Sequence, residues 1–499
     1  MTTEFTTPIE SLREIYRAYL QAPGVATRID AVCPGDVYFA LPRHEPQQRI
    51  KHLLWRTLGF AELYAPWLLA LASGVLARIP GGSKAHAGFE TLRREKFSGS
   101  AHGPEAITRG AALAVIDSGR MRGGKYIRVP HAGTAFRELA IYHRRQLKIP
   151  VIGITGSCGK TTTKELVTAV LRKKFRTVST PDSFNSIAGV CHTVLSIKAD
   201  DEIAVFEIGS IGEHDAIAQK VAIADPDFGI VTLIGKAHLQ GFGDLSGVVQ
   251  IKRQLFDHVA RRNGLFFLNT ADPNIVSFVG DYPNVWTYGD APSCDTQGSC
   301  VADRAQLSVE WLRTDKQGEN NPTAATVIQT QLFGRMNLTN VLAAIAVGTR
   351  FGVAPDLVQQ ALSEFKPENL RSQILSKGST TIILDAFNAN PTSMGASLQD
   401  FASIRSTRKS VVLGEMLELG EHSLSEHQQV LASLGSMNLQ DIFLVGQEFA
   451  RAGGAAVGRC FGSVDDLIAS VPLAALAGAH VLVKGSRKVG LERYVLSLD

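Results

Sequence analysis

Residues 151–164 read VIGITGSCGKTTTK, and this stretch decides the fold of the chain. An apolar run leads into a glycine-rich loop, after which Lys160 and Thr161 begin a segment that is predicted to be a helix. Such a strand, loop and helix point backbone N–H groups and the helix N-terminus at an anion. The spacing departs from the common phosphate loop, because Ile154 stands five residues before Gly159 where that pattern has a glycine. The context still predicts a nucleotide site.

The side chains of this loop suit a nucleoside triphosphate. We expect the ammonium group of Lys160 to reach the β- and γ-phosphates, and the hydroxyl group of Thr161 to ligate Mg²⁺. The alternative is a chance glycine turn, which would not explain why a lysine and a threonine follow an apolar strand. The other loop residues predicted to bind the nucleotide are Gly156, Ser157, Cys158, Gly159 and Thr162.

Two ionisable side chains downstream are candidates for the same site. Glu207 ends the strand-like run AVFEIG, and His238 follows in IGKAHLQGFG, where we predict the end of a neighbouring strand. The carboxyl ends of strands in an open α/β sheet face the ligand crevice. Each residue alone would more often be structural, but their places beside a phosphate loop predict that both converge on the phosphates and the metal.

Strand-like and helical stretches alternate along the chain, which predicts an α/β protein with a doubly wound, mostly parallel sheet. We predict an N-terminal domain over 1–148, a central domain over 149–368, and a third, Rossmann-like domain over 369–499. The predicted helices are Thr161–Phe175, Asp215–Ala224, Leu245–Arg262 and Asn337–Phe351, and Thr314–Pro322 is a predicted loop. The predicted strands are Asp36–Leu41, Ala112–Ile116, Tyr126–Val129, Ile203–Ile208, Phe228–Ile234, Gly264–Leu268, Thr380–Leu384, Ser410–Leu413, Asp441–Val445 and His480–Val483.

Composition excludes several classes of protein. The 499 residues are 45% hydrophobic and 20% charged, which is typical of a folded chain rather than a disordered one. A net charge of +4 does not favour nucleic-acid binding. The six cysteines are scattered, and we place Cys294 and Cys300 in a polar loop, so neither a disulfide scaffold nor a zinc site is expected. The acidic start has no apolar signal core, which predicts a cytoplasmic protein.

One apolar stretch leaves two interpretations open. Residues 63–77, LYAPWLLALASGVLA, carry no charge, but a spanning helix needs roughly 17–25 apolar residues. The first interpretation is a buried or hairpin helix within an insertion at 52–96. The second, which we favour less, is an interfacial helix at 60–79 that touches a membrane or a protein partner through Trp67 and nearby basic residues.

Several motifs resemble the Mur ligases in the order that this family has them. The central-domain motifs are TGSCGKTTTK at 155–164, KAHLQGFG at 236–243 and NLTNVLAAIAVG at 337–348. The stretches LDAFNANPTSM, VLGEMLELGEHSLSEH and VKGSRKVGLE, between 384 and 492, are similar to those of the members that add D-alanyl-D-alanine. The likeness runs from about residue 140 to the C-terminus.

The resemblance implies roles for individual residues. Glu207 would ligate the first Mg²⁺, His238 would help to place a second, and Lys252 would react with CO₂ to give a carbamate that ligates metal. The alternative for Lys252 is an ordinary lysine on a helix surface. Arg371 would meet the γ-phosphate and Asp385 the ribose. The remaining implied contacts are Asn337 and Asn340 to the base region, Asn185, Ser186, Asn388, Asn390 and Pro391 in the substrate cleft, and Lys484 and Arg487 near the incoming amine.

The activity implied by the resemblance is ATP-dependent formation of an amide through an acyl phosphate. The first hypothesis is the addition of D-Ala-D-Ala to a UDP-N-acetylmuramoyl tripeptide in peptidoglycan precursor synthesis by a monomeric enzyme. The second is a paralogue that joins another small-molecule carboxylate to another amine. The third, a non-catalytic nucleotide-binding scaffold, is disfavoured because the nucleotide and metal residues are intact.

The departures from the family pattern lie where the acceptor binds. The family's uridine-contacting stretch is replaced by Thr27 followed by residues 28–30, RID, and the insertion at 52–96 delays a second family motif. That motif then arrives with Ser98 in place of an aspartate and a displaced His102. The other departures are Asp182-Ser183 and Asn185-Ser186 for Gly-Asn and Asn-Asn, Cys191 for proline, and Phe387 for tyrosine.

Overall fold

The computed structural model describes residues 5–22, 25–27, 32, 34, 36–41, 99–119, 123–210, 216–301, 306–313, 325–368 and 370–498. The chain divides into two units, one of residues 1–147 and 194–196, the other of residues 148–193 and 197–499. Several parts of the sequence analysis concern residues outside this description. They are the insertion at 52–96, the stretch at 60–79, residues 28–30, Ser98 and the loop Thr314–Pro322. Within the described residues, no helix is both long and apolar enough to span a membrane.

The first unit is built on a short parallel sheet whose residues are largely buried. Its strands, in sheet order, are β1 (Val25–Ala26), β2 (Val37–Phe39), β3 (Leu113–Ile116) and β4 (Tyr126–Arg128). Its helices are α1 (Ile9–Gln21), α2 (Gly103–Thr108) and α3 (Ala132–Gln146). Leu12 and Ile15 are the buried residues of α1, and this helix packs against α3.

Glu138 of α3 ties the start of the chain to this unit, and its removal is expected to destabilise the protein. Its carboxylate accepts bonds from Thr6 N at 2.6 Å, Thr6 Oγ1 at 2.8 Å and Thr7 N at 2.8 Å. Glu138→Ala leaves the buried N–H group of Thr7 and the partly buried donors of Thr6 without this acceptor, so we expect a loss of about 2 kcal/mol in unfolding free energy, seen as a lower urea midpoint. Glu14→Ala, on an exposed position of α1, is the matched control; an equal midpoint for the two variants would contradict this role.

The pH dependence of this contribution follows from the same bonds. Burial raises the pKa of the Glu138 carboxyl group, but the bonds from Thr6 and Thr7 outweigh it and the net pKa is lowered. A lowered pKa in the folded state stabilises the protein above the ordinary glutamate pKa, and this stabilisation is lost as the pH falls through the folded value. The difference between wild type and Glu138→Ala should therefore shrink in acid.

The large sheet of the second unit confirms the predicted α/β class and its mostly parallel sheet. Its strands are β5 (Val151–Thr155), β6 (Thr177–Ser179), β7 (Ile203–Glu207), β8 (Phe228–Val231), β9 (Leu265–Asn269), β10 (Val285–Gly289), β11 (Thr296–Val301), β12 (Gln306–Arg313) and β13 (Thr326–Phe333). Across the sheet the order is β13, β12, β11, β10, β9, β8, β5, β7, β6. Strands β6 to β11 are parallel, while β11, β12 and β13 are antiparallel.

Two expectations about this sheet are wrong. Glu207 and the segment leading to His238 follow β7 and β8, and these strands are not neighbours, because β5 lies between them. The phosphate loop therefore lies between the two strand ends. Cys300 is not in a loop but in β11, where buried residues alternate with less buried ones from Thr296 to Ser299 and which pairs antiparallel with β12. Cys294, just before that strand, is buried.

Helices cover this sheet and bury its apolar side chains. They are α4 (Lys160–Leu171), α5 (Ile187–Leu195), α6 (Ala216–Ala224), α7 (Leu239–Phe242), α8 (Leu245–Arg261), α9 (Pro273–Val279), α10 (Leu338–Arg350) and α11 (Pro355–Glu364). Every residue of β5 is buried, as expected for a central strand covered on both faces. Helix α4 packs against α10, whose residues 341–347 are all in the core. This packing fixes the helix that begins at the phosphate loop.

The C-terminal part of the second unit has its own sheet. The strands are β14 (Gln373–Lys377), β15 (Thr380–Asp385), β16 (Lys409–Gly414), β17 (Asp441–Val445), β18 (Arg459–Phe461) and β19 (His480–Lys484). Their order is β14, β15, β19, β16, β17, β18, and every pair except β14 with β15 is parallel. The helices are α12 (Pro391–Ser403), α13 (Ser423–Gly435), α14 (Gln447–Arg451), α15 (Val464–Ser470) and α16 (Glu492–Leu496).

Candidate functional site

Two glycines give the phosphate loop its shape. Gly156 has a φ of +148°, and a Cβ atom there would lie 2.0 Å from Thr232 Oγ1. Gly159 has a φ of +81°, and a Cβ atom there would lie 2.4 Å from the Asn340 side-chain oxygen. Only glycine fits both the left-handed backbone and the space, so the loop wraps closely before α4 begins at Lys160.

The segment that follows β8 holds this loop in place. Ser157 N donates to Leu233 O at 2.7 Å, and Gly235 N donates to Ser157 Oγ at 3.1 Å. The hydroxyl group of Thr232 donates to the Cys158 carbonyl oxygen at 2.5 Å. These bonds fix the loop from the β8 side, while the start of α4 keeps the backbone N–H groups that a helix N-terminus leaves unpaired.

Lys160 lies over its own loop. Its ammonium group donates to the carbonyl oxygens of Gly156 at 2.7 Å and of Ser157 at 3.2 Å. Burial lowers the pKa of Lys160, and the negative charge of Glu207 opposes that change. The cation is therefore next to both the phosphate loop and the candidate metal ligand.

Glu207 ends β7, and its two carboxylate oxygens differ in their contacts to the described residues. Asn185 Nδ2 donates to Glu207 Oε1 at 2.6 Å, and Glu207 N donates to Thr180 Oγ1 at 3.0 Å. Oε2 is buried and has no hydrogen-bond partner in the described part of the chain. Burying a carboxylate oxygen unpaired is costly, so this atom suits a cation. The buried hydroxyl group of Thr161, at the start of α4, suits the same ion.

Lys252 carries a buried amine. It lies on α8 with 1% of its surface exposed, and its Nζ forms no hydrogen bond to any described residue. The atom lies 5.7 Å from the centre of the Phe242 ring. Burial, and then the positive charges of Lys160 and Lys220, lower the pKa of Lys252 well below its ordinary value. The side chain is therefore not the surface lysine of the alternative interpretation.

Lys220 is a further buried cation of this region that the motifs did not point to. It lies on α6 and donates to the Gly209 carbonyl oxygen at 2.5 Å, two residues beyond Glu207. Its charge acts on Lys252, as does that of Lys160. Lys220 therefore adds a third cation to Lys160 and Arg371 in this region, and such cations suit a polyphosphate ligand.

Arg371 stacks on the residue that departs from the family pattern. Its guanidinium carbon lies 3.6 Å from the centre of the Phe387 ring, and that of Arg487 lies 5.9 Å from the same centre. Burial lowers the pKa of Arg371, while Glu207 and then Asp385 act in the opposite direction. Arg371 comes just before β14 of the C-terminal sheet, and its positive charge interacts with the Glu207 carboxylate.

Asp385 and Lys484 form a buried pair at the ends of β15 and β19. These residues are register partners, and Lys484 Nζ donates to Asp385 Oδ2 at 2.5 Å. Lys484 is 1% exposed at its side chain. Arg487, by contrast, is exposed and pairs with Glu492 at 3.1 Å. Of the two residues predicted near the incoming amine, only Arg487 therefore has an exposed charge.

Asn337 and Asn340 lie behind the phosphate loop and are almost completely buried. Asn340 Nδ2 donates to Asn337 Oδ1 at 2.8 Å, and the Thr163 hydroxyl group donates to Asn340 Oδ1 at 3.0 Å. Asn337 Nδ2 donates to the Phe333 carbonyl oxygen at 2.7 Å. Through these bonds the two asparagines pack against the loop at Gly159. Their predicted contact with the base of the nucleotide stays a prediction.

The predicted substrate residues lie on two loops that reach the phosphate loop region. Asn185 is bonded to Glu207, whereas Ser186 is exposed and its hydroxyl group accepts from Gly189 N at the start of α5. Asn390 caps α12 through Ser393 N at 2.9 Å, and its amide also contacts Cys158 Sγ at 3.4–3.5 Å. Asn388 is exposed beside it, and Pro391 is the first residue of α12.

His238 contacts the C-terminal part of the unit. Its Nδ1 lies 2.5 Å from Glu418 Oε2, and this bond lowers the pKa of Glu418. Two residues earlier, Lys236 Nζ lies 2.7 Å from Glu426 Oε1. The described residues contain no group of three or more His, Cys, Asp or Glu side chains that could hold a metal. The role of His238 in placing a second Mg²⁺ therefore stays a prediction.

A cavity of about 300 Å³ adjoins the start of α4. Its walls come from one face of α4 and from the segment that leads to Arg371. The residues that bear on binding are Thr161, Thr162, Glu165, Asp182, Lys366 and Arg371. The cavity therefore places two threonines of the predicted nucleotide site and Arg371 around one space.

Comparisons with known proteins agree with this geometry. The Mur ligase middle domain matches residues 154–348, and the Mur ligase glutamate ligase domain matches residues 370–487. A UDP-N-acetylmuramoyl-tripeptide–D-alanyl-D-alanine ligase of Bacillus subtilis is 30% identical over 430 residues, covering 83% of this chain and 90% of that protein. The Escherichia coli protein of the same name is 29% identical and covers 82% and 90%.

Solved structures show the same fold. MurF from Acinetobacter baumannii has a TM-score of 0.76 at 22% identity and covers 98% of both chains. MurF from Thermotoga maritima, solved in complex with ADP, has a TM-score of 0.73 at 21% identity and covers 96% of this chain and 97% of that one.

Proposed function

Because the chain belongs to the Mur ligase family, we propose that it joins a carboxyl group of a UDP-N-acetylmuramoyl tripeptide to the amino group of D-alanyl-D-alanine, with conversion of ATP to ADP and phosphate. The observation that carries the proposal is the cluster at the phosphate loop. The charge of Glu207 acts on both Lys160 and Arg371, and Lys252 lies near enough to Lys160 to feel its charge. Among the described residues, Glu207 Oε2 is buried and has no hydrogen-bond partner. In this proposal the product serves peptidoglycan precursor synthesis.

The nucleotide site that we propose is centred on the start of α4. The N–H groups of the loop and Lys160 hold the β- and γ-phosphates, and Arg371 contacts the γ-phosphate from the C-terminal side. The remaining proposed nucleotide contacts are Gly156, Ser157, Cys158, Gly159, Thr161, Thr162, Asn337, Asn340 and Asp385. On arrival of the phosphates, the Lys160 ammonium exchanges the Gly156 and Ser157 carbonyl oxygens for phosphate oxygens.

The residues present fit Mg²⁺. The unpaired Oε2 of Glu207 and the hydroxyl group of Thr161 are hard oxygen ligands, the type that Mg²⁺ prefers. Lys252 as a carbamate would add an anion at an amine that has no hydrogen-bond partner in the described parts of the chain, and His238 would serve a second ion. When bound, Mg²⁺ screens the charge of the transferring phosphoryl group and so helps the carboxylate to approach.

The chemistry required is the activation of a carboxylate. A carboxylate oxygen is a poor leaving group, so we propose that it first attacks the γ-phosphorus of ATP, releasing ADP and forming an acyl phosphate. The amine then attacks the carbonyl carbon and forms the amide bond. Phosphate leaves and carries the former carboxylate oxygen with it. Lys160 and Arg371 stabilise the charge on the phosphoryl group during both steps.

Exclusion of water is a second task, because water hydrolyses an acyl phosphate. The ion pair of Lys236 with Glu426 and the hydrogen bond between His238 and Glu418 link the two sheets of the second unit beside the site. We propose that Asn388, Asn390, Lys484 and Arg487 line the side from which the amine arrives. Lys484 acts through its pair with Asp385, whereas the exposed Arg487 would exchange its ion pair with Glu492 for the carboxylate of a dipeptide.

A paralogue acting on another carboxylate and amine is the second candidate function. The observation that favours it is the loop at 180–186, where Asp182 replaces a glycine of the family and takes a left-handed φ of 44°. Phe184 of the same loop is 57% exposed. An acidic and an aromatic side chain at this place suit a different acceptor from the family's usual one.

The test is release of phosphate from ATP, measured with the full chain and Mg²⁺. We expect release only when UDP-N-acetylmuramoyl tripeptide and D-Ala-D-Ala are both present, with one amide formed per ATP. Release with other acid and amine pairs, but not with this one, would favour the paralogue. If the tripeptide does not bind at millimolar concentration while ATP does, the peptidoglycan assignment is wrong; no amine-dependent release with any pair would favour the scaffold.

The organisation of the chain is proposed with the function. We propose three domains over 1–148, 149–368 and 369–499, the first carrying the acceptor-binding surface and the insertion. We further propose a monomer that acts in the cytoplasm on small-molecule substrates. Contact of residues 60–79 with a membrane or a protein partner remains the less favoured interpretation of that stretch.

A further inference from the structure

Lys164 is a buried cation to which the family motifs give no role. It lies on α4, one turn beyond Lys160, and its side chain is 1% exposed. Its Nζ donates to the carbonyl oxygens of Thr180 at 2.7 Å and of Asp182 at 2.8 Å, and it pairs with the Glu165 carboxylate. An ammonium group has three N–H donors, and these three acceptors use all of them.

The three bonds specify where the side chain lies. A buried ammonium group that lost an acceptor would leave a charge without compensation, which is strongly unfavourable. Lys164 is thus held in one place, and with its donors used it is not a second phosphate-binding lysine. Its role follows instead from the backbone segment that its acceptors belong to.

Two of its acceptors belong to a loop that contacts the reaction centre. Residues 180–186 connect β6 to α5. The Thr180 hydroxyl oxygen accepts from Glu207 N at 3.0 Å, and Asn185 Nδ2 donates to Glu207 Oε1 at 2.6 Å. The loop therefore bonds Glu207 at both of its ends, while Lys164 holds the first of these ends to the helix of the phosphate loop.

The position of Asn185 leaves little room for movement. A Cβ atom at Gly209 would lie 2.5 Å from the Asn185 side-chain carbon Cγ, so the amide group lies directly on the backbone that follows Glu207. Asp182 has a left-handed φ of 44°, and its carbonyl oxygen is one of the two in this loop that Lys164 binds. Loss of the Lys164 ammonium would release the Asp182 turn, and with it the placement of Asn185.

We infer that Lys164 is a positioning residue for the carboxylate acceptor, which acts by holding the loop at 180–186 against Glu207. The inference rests on the proposed function, because the acceptor is the tripeptide of that proposal. The inference gives the two lysines of α4 different roles. Lys160 binds the phosphates of ATP, and Lys164 positions the loop at 180–186 for the acceptor without contacting the acceptor.

The experiment compares Lys164→Met with Lys173→Met in the full chain. Methionine keeps most of the length but none of the charge; Lys173 follows the same helix, is more exposed and pairs with Glu364 at 2.9 Å. We expect Lys164→Met to raise the KM for UDP-N-acetylmuramoyl tripeptide by about tenfold or more. The Kd for ATP, measured by calorimetry without Mg²⁺ so that Glu207 is not read through the metal, should stay within about twofold of wild type, since the loop of Lys160 is untouched. Lys173→Met should change neither.

The outcomes separate this inference from the proposed function. Wild-type turnover with an acceptor KM unchanged in a folded Lys164→Met variant overturns the inference alone, as does an equal weakening of ATP and acceptor, the mark of a merely structural role. A wild type inactive with the tripeptide overturns both. If Lys164→Met does not fold, Lys164→Arg takes its place, because arginine keeps the charge but cannot aim three donors at these acceptors; its acceptor KM should rise by about threefold or more.

Discussion

Replacement of Lys160 by alanine is expected to lower kcat by about 10³-fold, the largest effect of any single change in this chain. The Lys160 ammonium is the cation nearest to the phosphate loop, bonded to the Gly156 and Ser157 carbonyl oxygens. Without it, the transferring phosphoryl group loses its closest positive charge, worth about 4 kcal/mol at the transition state. The measurement is the steady-state rate of phosphate release at saturating substrates.

The control for Lys160→Ala is Lys198→Ala, which removes an exposed lysine far along the chain from the loop. That variant should keep the wild-type rate. A Lys160→Ala variant with near-normal turnover would contradict the assignment of the phosphate loop. A variant that loses turnover together with its thermal unfolding transition would have to be replaced by Lys160→Met, which preserves the length of the side chain.

Replacement of Lys252 by alanine is expected to lower kcat by about 100-fold, with part of the loss restored by a short carboxylate such as formate or acetate. The amine is buried and has no hydrogen-bond partner among the described residues, and its lowered pKa favours the uncharged form that attacks CO₂. Alanine leaves a small space in which an added carboxylate can stand for the carbamate.

The control for Lys252→Ala is Arg253→Ala, the next residue of α8, which is exposed and pairs with Asp257. Formate should not change the rate of this control or of the wild type. A Lys252→Ala variant that no carboxylate restores would count against the carbamate, and a variant with the wild-type rate would remove Lys252 from the reaction altogether.

The parts of the fold that were predicted correctly are those that local pattern determines. Fully buried parallel strands such as β5 and β7 are continuous apolar runs, and each ends in a loop of distinct chemistry. Strands β11, β12 and β13 were not predicted, because antiparallel strands with one polar face alternate and resemble polar loops. The order of the strands in the sheet could not be predicted from local sequence, and Glu207 and His238 were therefore expected after neighbouring strands, although β5 lies between them.

Within the site, motif residues were predictable and supporting residues were not. Lys160 and Thr161 stand at fixed offsets in a glycine loop, so their chemistry follows from spacing alone. Lys164 and Lys220 donate hydrogen bonds to carbonyl oxygens of residues 11 to 18 positions away. No residue spacing in the sequence predicts such a contact. The one available signal was that Lys164 falls on the face of α4 shared with the buried Thr161 and Thr168. The pairing of His238 with Glu418 depends on how two sheets pack.

The most direct test of the proposed chemistry follows oxygen from the acceptor. The tripeptide is prepared with ¹⁸O in its carboxyl groups and incubated with the enzyme, ATP, Mg²⁺ and D-Ala-D-Ala in ordinary water, and the released phosphate is examined by mass spectrometry. Formation of an acyl phosphate predicts one ¹⁸O atom in each phosphate released. Phosphate without ¹⁸O, released together with amide product, would contradict the account.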